Sequence, residues 1–191
     1  EIYEANAVNG IAAGKLAHAA VQVGARFLQI STDYVFGETA LSPYSTSDRP
    51  DPQTEYGRSK ALGELLVSES GADYSIIRTA WLYGAGGGCF PKTIGNVLEN
   101  TGVARVVNDQ HGQPTWTRDL AELILACSQL ETMPRIVHGT SSGETTWFEF
   151  ASEVAKSLGL NPEEVIVDSA TDDGERSVVM ERCGYSPRTE Y

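Results

Sequence analysis

Arg26-Phe27-Leu28-Gln29-Ile30-Ser31-Thr32-Asp33 decides the fold, because a β-forming, largely apolar stretch runs directly into three small polar residues. A strand buried in a parallel sheet reads this way, and such sheets bind ligands beyond the carboxyl ends of their strands. Upstream, Val8, Ile11, Ala12, Leu16, Ala19, Ala20 and Val23 follow helical spacing and Gly24 supplies a stop, which predicts a helix over 8–23 with those residues as its inner face. Downstream, Pro43, Pro50 and Pro52 mark 38–53 as a loop, after which Thr54 caps a helix running to about Glu69. Beyond it the pattern predicts a strand at 74–79, a helix at 93–99, a strand at 103–107 and a helix at 117–130. Leu120, Leu123, Ile124 and Cys127 form the inner face of that last helix. Thr146-Trp147-Phe148-Glu149 is a capping box opening a helix to Leu158, before Gly159 and Asn161-Pro162. The alternation is that of an α/β, doubly wound parallel sheet.

Tyr56-Gly57-Arg58-Ser59-Lys60 lies on the helix after the first strand. Four residues is about one helical turn, so the phenol of Tyr56 and the ammonium of Lys60 share a face and reach the same small molecule. A free tyrosine titrates near pH ~10, and a cation within ~4–6 Å is expected to lower that value toward the working range of a general acid. The hydroxyl of Thr32, at the strand end, would complete the site. Tyr-x-x-x-Lys also arises by chance on a solvated helix face; its place after a strand ending in polar residues is what marks a site here.

Composition narrows the partners. With 41% hydrophobic residues, 19 Gly and 8 Pro in 191 residues, the chain has material for one good-sized globular domain. A formal net charge of -12 and a pI near 4.6 speak against nucleic acid and anionic membranes and favour small molecules. No apolar run reaches the ~18–20 residues of a membrane span, and a cytoplasmic location is expected. Cys89, Cys127 and Cys183 are widely spaced, indicating neither a disulfide framework nor a metal site, and Cys127 reads as a buried thiol. No pattern indicates Mg2+.

Several motifs in order carry a resemblance: Val8-Asn9, Ser31-Thr32-Asp33-Tyr34-Val35-Phe36, Tyr56-Gly57-Arg58-Ser59-Lys60, Arg78-Thr79-Ala80-Trp81-Leu82-Tyr83, Asp109-Gln110-His111-Gly112-Gln113-Pro114-Thr115 and Gly143-Glu144-Thr145-Thr146-Trp147. From about Val8 to about Leu158 the chain resembles the extended short-chain dehydrogenase/reductase family, and within it the dTDP-4-dehydrorhamnose reductases. The resemblance implies a Rossmann-like fold, NADPH or NADH as cofactor, a nucleotide-sugar substrate and compatibility with a homodimer. It implies Tyr56, Lys60 and Thr32 as catalytic residues, Tyr56 and Lys60 also meeting the cofactor, and Thr32, Asp33, Tyr34 and Trp81 holding the substrate. Substrate-binding elements would fall in about 81–115 and 136–191.

Two related groups share the pattern: the regulatory subunit of methionine adenosyltransferase, a binding module, and the nucleotide-sugar epimerases and dehydratases. Asp33 speaks against the first, which tends to carry Asn there; Trp81 and the Asp-Gln-x-Gly-x-Pro-Thr match favour the reductases. Cys89 departs from the family, which commonly has Asn before the residue matching Phe90, and the tail from Ala170 to Tyr191 departs as well. No Gly-x-Gly-x-x-Gly stands near the start, so the first βαβαβ half of the sheet is expected to be missing. Gly84-Ala85-Gly86-Gly87-Gly88 imitates a nucleotide fingerprint, but Cys89 takes the place of its last glycine, and the run reads as a flexible loop over the substrate.

Overall fold

The computed structural model describes residues 2–37 and 43–169, so residues 38–42 of the proline-bearing loop and the divergent tail lie outside the described residues. In chain order the elements are helix α1, which is α-helical over Ile2–Ala5, π-helical over Asn6–Ala12 and α-helical again over Ala13–Gln22, then β1 (Arg26–Thr32), a 3-10 turn (Asp33–Val35), α2 (Glu55–Ser68) and β2 (Asp73–Thr79). There follow β3 (Leu82–Tyr83), α3 (Phe90–Thr101), β4 (Ala104–Val106), β5 (His111–Gly112), β6 (Thr115–Trp116) and α4 (Thr117–Gln129). The described chain closes with β7 (Ile136–His138), β8 (Thr145–Thr146), α5 (Trp147–Ser157), α6 (Pro162–Val165) and β9 (Ile166–Asp168). The α/β alternation is as expected, and none of these helices is long and apolar enough to cross a membrane. The chain divides into two compact units, Glu1–Ala80 with Arg118–Thr140, and Trp81–Thr117 with Ser141–Tyr191.

The first unit is built on a parallel sheet of order β1-β2-β7. Its register pairs Arg26 with Asp73 through Thr32 with Thr79, and continues Arg78 to His138 on the far side. Ile76 and Ile77, β-branched and buried, make β2 the central strand among those described. Helices α1 and α2 cross closely enough for Gly10 to meet Leu62 and Gly14 to meet Leu66. Ala13, Ala17, Val67, Ala72 and Ile76 form the core beneath them, with Phe27 and Tyr74 against it.

This corrects the expected inner face of α1, of which only Ala20 is buried. Gly10, Ala13, Ala17 and Ala20 are buried, while Val8 is 64% and Leu16 62% exposed. Close approach of two helices selects small residues at the contact, and the larger apolar side chains are displaced outward. The π-helical stretch, unsignalled in the sequence, also shifts the phase of the helix midway. Other elements fall where expected: Thr54 accepts from Gly57 N at 3.0 Å as the α2 cap, and Leu120 and Cys127 are buried on α4.

The second unit consists of short paired strands, β3 with β6 and β4 with β9 in parallel, β5 with β8 antiparallel. Helix α3 begins three residues earlier than expected, because Phe90 is drawn into the core and Pro91 suits a first helical turn. The capping box at Thr146 forms with both its bonds, the Thr146 hydroxyl accepting from Glu149 N and the Glu149 carboxylate from Thr146 N. Its carboxylate sits below the usual range because Thr145 and the Thr146 backbone both donate to it. Trp81 and Trp147 stack 3.5 Å apart, and Phe90 lies 4.4 Å from Trp147.

Candidate active site

Thr32 ends β1 in an extended conformation and caps the 3-10 turn that follows. Its hydroxyl donates to Asp33 Oδ1 at 2.9 Å and accepts from Tyr34 N at 3.2 Å, which fixes its rotamer. Thr32 is 7% exposed, so this hydroxyl is presented from a rigid, buried strand end. Tyr56 comes to it from the first turn of α2, its phenol close enough for the Thr32 hydroxyl to pull its pKa down. A Cβ at Gly57 would run into the Tyr34 carbonyl, so glycine is what lets the α2 turn approach the strand end. The Tyr34 and Tyr56 rings meet edge to face, 5.9 Å apart.

A second set of bonds holds that turn from behind. Asn9 Nδ2 donates to Ser59 Oγ at 3.0 Å, and Ser59 Oγ donates to the Tyr56 carbonyl at 2.8 Å. Asn9 thus bonds a side chain of α2 and steadies the helix that carries Tyr56. Ser59 and Asn9 lie in the quoted motifs without a role of their own there; a serine inside Tyr-x-x-x-Lys facing an asparagine on the preceding helix is the signal that could have given them one.

Lys60 lies one turn beyond Tyr56, and its ammonium donates to the Ile30 carbonyl at 2.6 Å. Burial pushes the pKa of Lys60 down, while the neighbouring Glu64 carboxylate pushes it up. The expectation that Lys60 lowers the Tyr56 pKa is corrected in this form of the protein. Burial first, and the Asp33 carboxylate second, hold the phenol above its ordinary value, with only the Thr32 hydrogen bond pulling the other way. The ammonium is turned to a β1 carbonyl, and the charge felt by the phenol is the negative one of Asp33.

The donor set suits a ligand rich in hydroxyl groups. The ammonium carries three N–H donors and spends one on Ile30, and Tyr56 remains 50% exposed beside it. Thr32, Asp33, Tyr34, Tyr56 and Lys60 therefore come together in the first unit, at the carboxyl end of β1.

Trp81 belongs to the second unit and is packed there. It is 6% exposed, stacked on Trp147, and its indole is so close to Gly112 that a Cβ there would sit 2.5 Å from Cζ2. Its φ of 46° is left-handed, a conformation a bulky residue keeps only where surrounding packing imposes it. Of the motif at Asp109 to Thr115, His111 and Gly112 form β5, and His111 Nδ1 pairs with Glu144 at 2.9 Å. The Gly84 to Gly88 run is tied down by Lys92, whose ammonium donates to Ala85 O at 2.6 Å and Gly87 O at 2.8 Å.

The profile of the family described as RmlD substrate binding domain matches residues 1–186. A dTDP-4-dehydrorhamnose reductase of Streptomyces griseus is 44% identical over 166 residues, covering 84% of this chain and 55% of the relative. The spore coat polysaccharide biosynthesis protein SpsK of Bacillus subtilis is 40% identical over 173 residues, 91% of this chain and 60% of its own length. The chain thus spans little more than half the length of these relatives. Among solved structures, dTDP-4-dehydrorhamnose reductase from Bacillus anthracis in complex with NADP superimposes with a TM-score of 0.82 at 31% identity, covering 97% of this chain and 68% of that one.

Proposed function

Because the chain belongs to the RmlD substrate binding domain family, we propose that it contributes the proton-donating site of an NAD(P)H-dependent reductase. The substrate would be dTDP-4-dehydro-L-rhamnose and the product dTDP-L-rhamnose. The observation that carries the reading is the gathering of the Thr32 hydroxyl, the Tyr56 phenol and the Lys60 ammonium at the end of β1. The nicotinamide cofactor supplies a hydride to the ketone carbon when bound, leaving as its oxidised form. Negative charge then builds on the C4 oxygen. Tyr56 gives that oxygen its proton, and Thr32 turns its hydroxyl from Asp33 to the same oxygen. An alkoxide is a far stronger base than a phenolate, so a phenol kept fully protonated is the competent form. The Asp33 charge and the burial around Tyr56 secure it. Lys60, with donors to spare, would meet the ribose of the nicotinamide half and offset the phenolate that forms.

Asp33 and Tyr34, adjoining the acid, would hold the sugar, while Trp81 would meet substrate only through what its packing leaves open. Pairing into a homodimer remains part of this proposal. Assay of the complete protein with dTDP-4-dehydro-L-rhamnose and NADPH or NADH tests it: product should form, and Tyr56→Phe should lower turnover by roughly 10²–10⁴-fold with little change in substrate affinity. Near-normal turnover in the phenylalanine variant removes Tyr56 from the role, and co-purification with methionine adenosyltransferase without sugar reduction replaces the enzyme reading by a binding one.

A further inference from the structure

Behind the site the first unit buries a charged pair that proton donation does not use. Glu64 on α2 is 5% exposed and Arg78 on β2 is 3% exposed. Arg78 Nε donates to Glu64 Oε1 at 3.0 Å and Nη2 to Oε2 at 2.7 Å, a two-pronged bond that fixes both side chains. Burying such a pair seldom adds net stability over apolar residues of the same size, so its presence points to a task beyond cohesion. The task is legible in the spacing. Glu64 stands four residues after Lys60, on the same face of α2, and Arg78 is paired in register with Ser31, the residue after the carbonyl that Lys60 holds.

We propose that Glu64 is a positioning residue for Lys60: locked to Arg78 of β2, it clamps the α2 turn that carries Lys60 against the ends of β1 and β2 and gives the half-buried ammonium a fixed negative neighbour. The two helix residues form two anchors one turn apart, Lys60 on β1 and Glu64 on β2. Burial alone drives Lys60 toward its neutral form, and Glu64 is the charge that opposes this.

The other charged groups around the pair are accounted for. Arg78 lies against the ring of Phe36, 4.8 Å from its centre, and His138 on β7 stands beyond it, held below its ordinary pKa by burial and by Arg78 against the opposing charges of Glu64 and Asp48. Asp33 and Tyr56 lie on the active-site side. Glu4, Lys15 and His18 on α1 are exposed, and Arg26 and Asp73 pair with each other at the opposite ends of β1 and β2.

The role of Lys60 in reduction rests on the function proposed above, so the test separates the two. In the complete protein, the Lys60 pKa is read directly by NMR titration of ¹³C-methylated lysines, and the pH profile of NAD(P)H-dependent reduction is recorded alongside. Glu64→Gln should lower the Lys60 pKa by ~1 pH unit or more and move the alkaline limb of activity down with it. Arg78→Met, which leaves the carboxylate in place, should produce no downward shift. Should Glu64→Gln fail to fold with Arg78 buried and unpaired, the double variant E64Q/R78M removes both charges and should still show the lowered Lys60 pKa. An unchanged Lys60 pKa in Glu64→Gln or in the double variant, with only melting temperature affected, overturns the proposal and leaves the pair structural. A lowered pKa in a protein that reduces no sugar keeps the positioning role and removes the reductase reading.

Discussion

The two units bury different kinds of group. In the first, Ser31, Thr32, Glu64, Arg78 and Thr79 are all under a tenth exposed, gathered where β1 and β2 end. In the second, the interior is a stack of rings, with Trp81, Phe90 and Trp147 each 6% exposed or less. Strand length explains the difference. Seven-residue parallel strands fix their backbones through continuous pairing, so hydroxyls and charges at their ends are held in register. Two-residue strands such as β3, β5 and β6 hold little by themselves, and large apolar surfaces supply the cohesion. Chemistry is therefore placed on the long strands, and packing holds the short ones.

Attacking the ring stack should give the largest effect on folding. Trp147→Ala is expected to destabilise by about 3–5 kcal/mol, read by denaturant unfolding, with loss of hydrogen-exchange protection in α3 and α5. Retained protection there would mean that the stack is not what holds the second unit. Gly112→Ala forces a methyl into the Trp81 indole and should cost about 1–3 kcal/mol by the same measurement.

On the chemical side, Thr32→Val should cost about 0.5–2 kcal/mol of stability through the lost cap and reduce turnover less than Tyr56→Phe, because it removes one hydrogen bond to the developing oxyanion and leaves the proton source. Equal losses in the two variants would exchange their roles.

The smallest effect concerns pH. Burial and the Arg78 cation hold the His138 pKa down, so the folded protein resists a proton that the unfolded chain accepts below about pH 6.5. Stability should fall as pH drops through that value toward the folded pKa, and be level with respect to this group above it. His138→Asn should flatten that slope, measured by urea unfolding between about pH 5 and 7.5.

How much of this could be read from the residues depended on the same contrast. β1, β2, the Thr54 cap and the Thr146 capping box were legible because each is a local event with its own residue signature. The grouping of Thr32, Asp33, Tyr34, Tyr56 and Lys60 was legible because sheet topology fixes where a strand end and the next helix meet. The inner face of α1 was not: Leu16 and Val8 outrank Ala13 and Ala17 in hydrophobicity, and only the nearness of α2 makes the small residues the better fit. Glu64 and Arg78 left a faint trace, an arginine inside the otherwise buried run Ser75 to Thr79 and a carboxylate one turn past Lys60. The Tyr56 pKa went the other way because burial and the Asp33 charge outweigh an ammonium that points to a β1 carbonyl, none of which spacing encodes.

The wide turns at Asn6–Ala12 have a consequence for how this helix tolerates changes in length. A π-helix closes its bonds one residue later than an α-helix, so the seven residues there cover about the rotation that six would cover in the tighter form. The segment behaves as a stored single-residue insertion. Deleting one residue within it can be absorbed by tightening to the ordinary pitch, with Ala13 and Ala17 kept in place. A deletion between Ala13 and Ala17 has no such reserve: it turns Ala17 by about 100° and lifts it from the core it shares with Val67.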